Sequence, residues 1–165
     1  MDYRREVTRK LIHLFGAIAI TFIVSSYPKD YSVTLLFCGF VLMFALNYMH
    51  NHNRKVPIFS DAVTYLSRGV AGNPTKGAID FFFAFTIITF LFSYEVALPT
   101  ILIVGFGDAF STIVGLPLGG RVFKKVGKKS VEGFLGFFLS SIFPAMVFLP
   151  YRTAVFACFM GGVFE

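Results

Sequence analysis

Apolar residues in this chain come in long blocks, and polar residues gather in the gaps between them. The blocks run over about 11–27, 31–49, 75–94, 96–118 and 131–149, and a last one begins at 153 and stops with the chain at 165. Each of the first five approaches or reaches the ~20 residues that carry a helix across ~30 Å of hydrocarbon. The sixth is too short to span. A membrane barrel would instead show segments of about ten residues with alternating polarity, a pattern this chain lacks. The expected fold is therefore all-α, a polytopic transmembrane helical bundle of five full spans plus a truncated sixth. On this reading residues 1–165 form a single integral-membrane domain that lacks its natural C-terminal end.

The gaps carry the expected punctuation. Pro28-Lys29-Asp30 is a turn signal after the first block, and Pro150-Tyr151-Arg152 one after the fifth. Asn73-Pro74 supplies an N-cap and a first-turn proline for the third block. Within the polar stretch 50–77, residues 61–68 fit a short amphipathic helix lying on the membrane surface. A basic lead-in followed by an apolar block also describes a secretory signal. Ser25-Ser26 makes a poor cleavage site and the chain continues hydrophobic, which favours a retained helix.

Composition agrees with this picture and charge orients it. Of the 165 residues 56% are hydrophobic and only 15% charged, with a mean hydropathy of +0.72. The net charge of +6 does not point to nucleic acid, because the cations sit at the ends of apolar blocks. With the N-terminus cytoplasmic, thirteen of the fifteen Lys and Arg fall on that side, and only Lys29 and Arg152 on the other. That positive-inside bias predicts a cytoplasmic N-terminus and puts the 50–77 stretch and the 119–129 loop on the same face. The partners it implies are membrane lipids. Cys38 and Cys158 lie inside apolar blocks with no pairing or ligand spacing, as small buried hydrophobes do.

Candidate chemistry concentrates in 107–133. Asp108 lies well inside the fourth block, where an ionised carboxylate costs several kcal/mol without a partner or an aqueous cavity. Ser111, Thr112, Gly115 and Gly119 follow it on one helical face. For the glycines and hydroxyls alone, small-residue helix packing is the simpler account. The loop after them carries Arg121, Lys128, Lys129 and Ser130, and Glu132-Gly133 opens the fifth block. The loop is not a Walker A sequence, because Val122 stands where its first glycine should be. Two acids and several cations on one membrane face suit a metal–triphosphate complex, with acids holding Mg²⁺ and cations spreading phosphoryl charge. The lead-in repeats the logic, since Glu6, Arg9, Lys10 and His13 share one helical face. His50 and His52 have no further ligand spacing and read as solvated.

These residues resemble the CTP-dependent lipid-alcohol kinases: dolichol kinase, phytol kinase and the CTP-dependent diacylglycerol kinase. The family pattern D-x-x-A-x-x-x-G-x-x-x-G-x8-K-K-T-x-E-G is matched in identity and spacing by Asp108, Gly115, Gly119, Lys128, Lys129, Glu132 and Gly133. Ser111 replaces its alanine and Ser130 its threonine. The opening E-x-x-R-K-x-x-H is matched by Glu6, Arg9, Lys10 and His13. The resemblance covers mainly the lead-in and 107–133. It implies phosphoryl transfer from CTP, with Mg²⁺, to the hydroxyl of a membrane lipid alcohol at the cytoplasmic surface. A polyprenol or dolichol is the favoured acceptor, with phytol or diacylglycerol as others.

Residue by residue, the resemblance makes Asp108 and Glu132 the metal ligands, one of them doubling as base, with His13 a further catalytic candidate. Lys128, Lys129, Ser130 and Arg121 would bind phosphates, Gly115, Gly119 and Gly133 would allow close backbone approach, and Glu6, Arg9 and Lys10 would line the opposite wall. A lipid cytidylyltransferase transferring CMP and a non-enzymatic small transporter or scaffold remain alternatives. The oligomeric state is left open.

Overall fold

The computed structural model describes residues 3–52, 76–118 and 130–164. The described residues form six helices and no strand: α1 Tyr3–Ser26, α2 Lys29–Asn51, α3 Lys76–Leu91, α4 Tyr94–Leu118, α5 Val131–Ala145 and α6 Tyr151–Phe164. Each expected apolar block is helical over most of its described residues. The surface helix expected over 61–68, the Asn73-Pro74 cap, and the loop carrying Gly119, Arg121, Lys128 and Lys129 lie outside the described residues.

Three of the helices, over Tyr3–Ser26, Lys29–His50 and Tyr94–Leu118, are long and apolar enough to cross a membrane. The other three hold 16, 15 and 14 residues. At 1.5 Å per residue they reach only about 21–24 Å, short of the ~30 Å hydrocarbon thickness. The fifth apolar block extends to 149, but its regular helix ends at Ala145, one residue after Pro144. Proline has no N–H to give to the carbonyl one turn back, and its ring crowds that carbonyl. The chain keeps turning through short bonds such as Phe148 N–H to the Ala145 carbonyl, 3.1 Å, and reaches Pro150 at the head of α6.

Helix α4 is the axis of the bundle, packing against α1, α3, α5 and α6. Two hydrophobic clusters lie along it. One joins Ala17, Ile20 and Val24 of α1 to Leu36, Phe85, Leu98 and Ile101, and the other joins Ile103 to Phe137, Ala154 and Cys158. Small residues occupy the contacts: Ala97, Gly105, Gly107, Ala109 and Ser111 are all buried on α4. Large side chains point outward instead, with Phe15, Phe22, Phe143 and Phe164 each exposed by two thirds or more. Small residues inside and bulky apolar ones outside is the arrangement suited to a hydrocarbon solvent, where association depends on close packing. In water such a surface would associate.

The corner between α1 and α2 is closed by polar groups. Pro28 caps α2, and its carbonyl accepts from Ser32 N–H at 3.0 Å. The fully buried Ser32 hydroxyl reaches the Tyr27 carbonyl at 3.3 Å, and the Tyr94 hydroxyl donates to that same carbonyl at 2.9 Å. The start of α4 is thereby fixed to the first turn of the bundle. Backbone carbonyls at a chain reversal need such partners wherever water is scarce.

The α1–α4 seam depends on Gly105, since a methyl group there would collide with the Ala17 side chain. Gly105→Ala is expected to destabilise the protein by about 1–3 kcal/mol through overpacking. Gly16→Ala, whose new methyl meets only the Phe81 ring at 3.4 Å, is expected to stay within about 0.5 kcal/mol of the parent. Thermal midpoints of the two variants in one detergent make the comparison, and equal midpoints would remove the glycine seam from this account.

Candidate functional site

The face of α1 that carries Glu6, Arg9, Lys10 and His13 is turned into the bundle. Lys10 Nζ is ion-paired with Asp108 Oδ1 on α4, across 98 residues of sequence. Both side chains are partly buried, at 14% and 34% exposure, so solvent screens the pair less than it would at a surface. This pairing answers the cost of a carboxylate at that depth. One turn earlier Arg9 Nη2 donates to Glu6 Oε2 at 2.7 Å, and Glu6 is only 5% exposed. Arg9 Nε is buried and has no hydrogen-bond partner among the described residues.

His13 sits one turn beyond Lys10. Its ring meets Phe81 of α3 edge-on at 5.1 Å between centroids, and Gly77 at the start of α3 lies beside it. Asp108, Lys10 and Arg9 are the charges that act on it electrostatically. All four residues of the lead-in motif therefore belong to one neighbourhood, together with Asp108.

Tyr3 is a member of this neighbourhood that the sequence does not single out. Pro117 lacks the N–H that would serve the Ile113 carbonyl in a regular helix. The Tyr3 hydroxyl donates to that carbonyl at 3.3 Å, tying the start of α1 to the end of α4. Tyr3, Glu6, Leu116 and Pro117 line a cleft of about 260 Å³ between the two helices. No periodicity announces Tyr3, because its partner is a backbone carbonyl released by a proline more than a hundred residues away.

The α4–α5 half of the site is built on glycine contacts. A methyl group on Gly115 would lie 3.2 Å from Gly133 Cα, and one on Gly133 would lie 3.3 Å from the Ser111 carbonyl. Both pattern glycines therefore let the two backbones approach, the small-residue packing of membrane helices. Ser111 and Thr112 donate to the Asp108 carbonyl at 3.1 and 3.2 Å, so their hydroxyls return to the α4 backbone. Ser130 is the N-cap of α5, its hydroxyl accepting from Gly133 N–H at 3.1 Å. Glu132 follows in the first turn, where the helix dipole favours an acid, and is 5% exposed.

Among the described residues no group of three or more His, Cys, Asp or Glu converges to hold a metal. Asp108 and Glu132 are hard oxygen donors of the kind Mg²⁺ prefers, and Mg²⁺ fills its remaining positions with water and phosphate oxygens. The chemistry of these two acids fits that ion. His52, by contrast, is exposed, with its ring 4.1 Å from Tyr48 and its Nδ1 3.0 Å from the Tyr48 carbonyl, in keeping with a helix-end role.

Two measurements test this geometry. Lys10→Met and Asp108→Asn are each expected to lower the thermal midpoint, and the double variant to lose less than their sum, with a coupling of about 0.5–3 kcal/mol. Additive losses would mean the pair is not formed in solution. Ser130→Ala is expected to cost about 1 kcal/mol as a lost N-cap, with Ser130→Asp largely restoring the midpoint.

No family model matches the chain, and no solved structure matches it. It is similar to uncharacterized protein MJ1137 of Methanocaldococcus jannaschii, with 31% identity over 138 residues that make up 83% of this chain and 69% of that one. At that identity and coverage, the chain belongs to the same family as this archaeal protein.

Proposed function

We propose that this protein is a CTP-dependent kinase of a membrane lipid alcohol, with a polyprenol or dolichol as the favoured acceptor. The observation that carries the proposal is the Lys10–Asp108 pair, which joins the two separate stretches that resemble the lipid-alcohol kinases. The proposed topology is five spans and a partial sixth with a cytoplasmic N-terminus, supported by thirteen of fifteen cations on that side. The site then opens to the cytoplasm, where nucleotide is present.

In the proposed reaction the lipid hydroxyl oxygen attacks the γ-phosphorus of CTP. The bond from that phosphorus to the β–γ bridging oxygen breaks, CDP leaves, and the hydroxyl proton passes to a base. Asp108 and Glu132 would hold Mg²⁺, which would supply positive charge against that of the phosphates. Lys128, Lys129 and Arg121 would screen the triphosphate. His13 lies one helical turn from Lys10, feels the charges of Lys10 and Asp108, and is the proposed imidazole to accept a proton. Positioning and charge neutralisation supply most of the catalysis in such a transfer, so a modest set of fixed charges suffices.

A non-enzymatic membrane scaffold is the second reading. It is favoured by the glycine contacts of Gly115 and Gly133 and by hydroxyls of Ser111, Thr112 and Ser130 that bond backbone.

Purified protein in phosphatidylcholine vesicles with polyprenol, dolichol, phytol or diacylglycerol separates these readings. The γ-phosphate of CTP is expected to enter the lipid, and Asp108→Asn to abolish transfer while the protein still inserts and extracts normally. Label from the α-phosphate in the lipid would replace the kinase by a cytidylyltransferase. Transfer retained in Asp108→Asn would remove Asp108 from catalysis, and no transfer from either position would favour the scaffold.

A further inference from the structure

The outer surface of the bundle carries a measure of thickness. On α2 no Lys, Arg, Asp or Glu falls between Asp30 and the helix end at Asn51. The large exposed side chains there are apolar, among them Leu35, Phe37, Leu42 and Phe44. Two exposed tyrosines, Tyr31 and Tyr48, bound this stretch. Tyr48 lies seventeen residues after Tyr31, a helical rise of about 26 Å. Tyrosine, with an apolar body and a polar tip, gathers where hydrocarbon meets water.

Two other elements repeat the measure. On α1 the exposed Tyr27 lies seventeen residues after Lys10, with no Lys, Arg, Asp or Glu between them. On α5 and the turns that follow, Pro150 lies eighteen residues after Glu132, about 27 Å at helical rise. An apolar groove of about 520 Å³ indents the surface between α4 and α5, walled by Val114, Leu135 and Leu139 with Glu132 at its loop end. Contacts between helices hold the markers level. The Tyr94 hydroxyl donates to the Tyr27 carbonyl at one end, and Lys10 is paired with Asp108 toward the other. Beyond the markers charge resumes at once, with Lys29 and Arg152 at one end and Arg9 at the other.

We propose that this surface fits a phospholipid bilayer with hydrocarbon about 26 Å thick, thinner than the ~30 Å of a typical one. Lipid is the occupant because exposed apolar side chains stand on α1, α2, α5 and α6 alike, at Phe22, Leu42, Phe143 and Phe156. A single docked partner would cover one side, whereas a fluid covers all of them. A thicker bilayer would draw Lys10 and Asp108 deeper at one end, or Lys29 and Arg152 at the other, or would have to thin around the protein. Each response costs free energy that grows with the mismatch. Tilting gives no relief, since at a tilt of about 20° the same spans cover only about 24 Å. The proposal rests on these helices spanning a membrane and not on the kinase reading.

The test uses the full chain in phosphatidylcholine vesicles without nucleotide, so its outcome is independent of CTP-dependent transfer. Chain length is varied to give hydrocarbon from about 20 to about 34 Å, around the typical thickness. The thermal midpoint is expected to peak near about 26 Å and to fall by about 5 °C or more at the thick end. The protein contains no tryptophan, so a single substituted one reports its own surroundings. In Tyr31→Trp and Tyr48→Trp, fluorescence is expected to be quenched most by lipids brominated near the headgroup. In Val41→Trp, midway along the exposed face of α2, lipids brominated deep in the chain should quench most. Tyr151→Trp, also exposed, serves as the far-end reporter should Tyr31→Trp not fold.

A midpoint that peaks at ~30 Å or above, or that ignores thickness, would overturn the proposal. So would deep bromines quenching best at 31 and 48, which would place both tyrosines inside the hydrocarbon. Val41→Trp unquenched by any bromine would mean that protein, not lipid, covers this face, and would overturn it equally.

Discussion

A charged pair in an apolar bundle constrains everything around it. Lys10 and Asp108 each cost several kcal/mol if left single in hydrocarbon, and together they offset one another only when α1 and α4 are held at one separation and register. The glycine at 105 sets that separation and the Ala17 contact sets the register. The pair and the seam are therefore one device. Moving either helix by a turn would bury a lone charge. Such pairs are weak sources of net stability, and their usual value is in specifying one arrangement among several.

The other half of the bundle is held by a different kind of contact. Between α4 and α5 the polar groups serve backbone: Ser130 caps, Ser111 and Thr112 bond back to the Asp108 carbonyl, and Gly115 and Gly133 bring the main chains together. The rigidity this creates places Glu132 within the first turn of α5, at the head of the apolar groove. Residues of one spaced pattern thus divide between holding the scaffold and presenting charge. A pattern residue used for packing is as necessary to the proposed chemistry as a ligand, because the carboxylates have no fixed position without it.

The six helices were legible from the alternation of apolar blocks and polar gaps, since lipid-like interiors require long runs, and so was the turn at Pro28, which stands between two of those blocks. Asp108 and the lead-in face were legible as candidate chemistry for the same reason: charge inside an apolar block stands out. The expected 149 end of the fifth block gave way to Ala145, because a hydropathy run does not register that Pro144 interrupts the backbone ladder.

What the chain order by itself determined is the kind of element, its approximate length, and the presence of acids and cations at fixed gaps. Those are local properties, read from neighbours along a helix. Only the tertiary structure decided that Asp108 takes Lys10 as partner, that Tyr3 serves the carbonyl freed by Pro117, and that Glu132 heads a groove between two helices. Each of these depends on which helix faces which and at what distance. Apolar surfaces pack with little directional preference, so periodicity alone leaves those pairings open, and the close contacts of a few small residues close them.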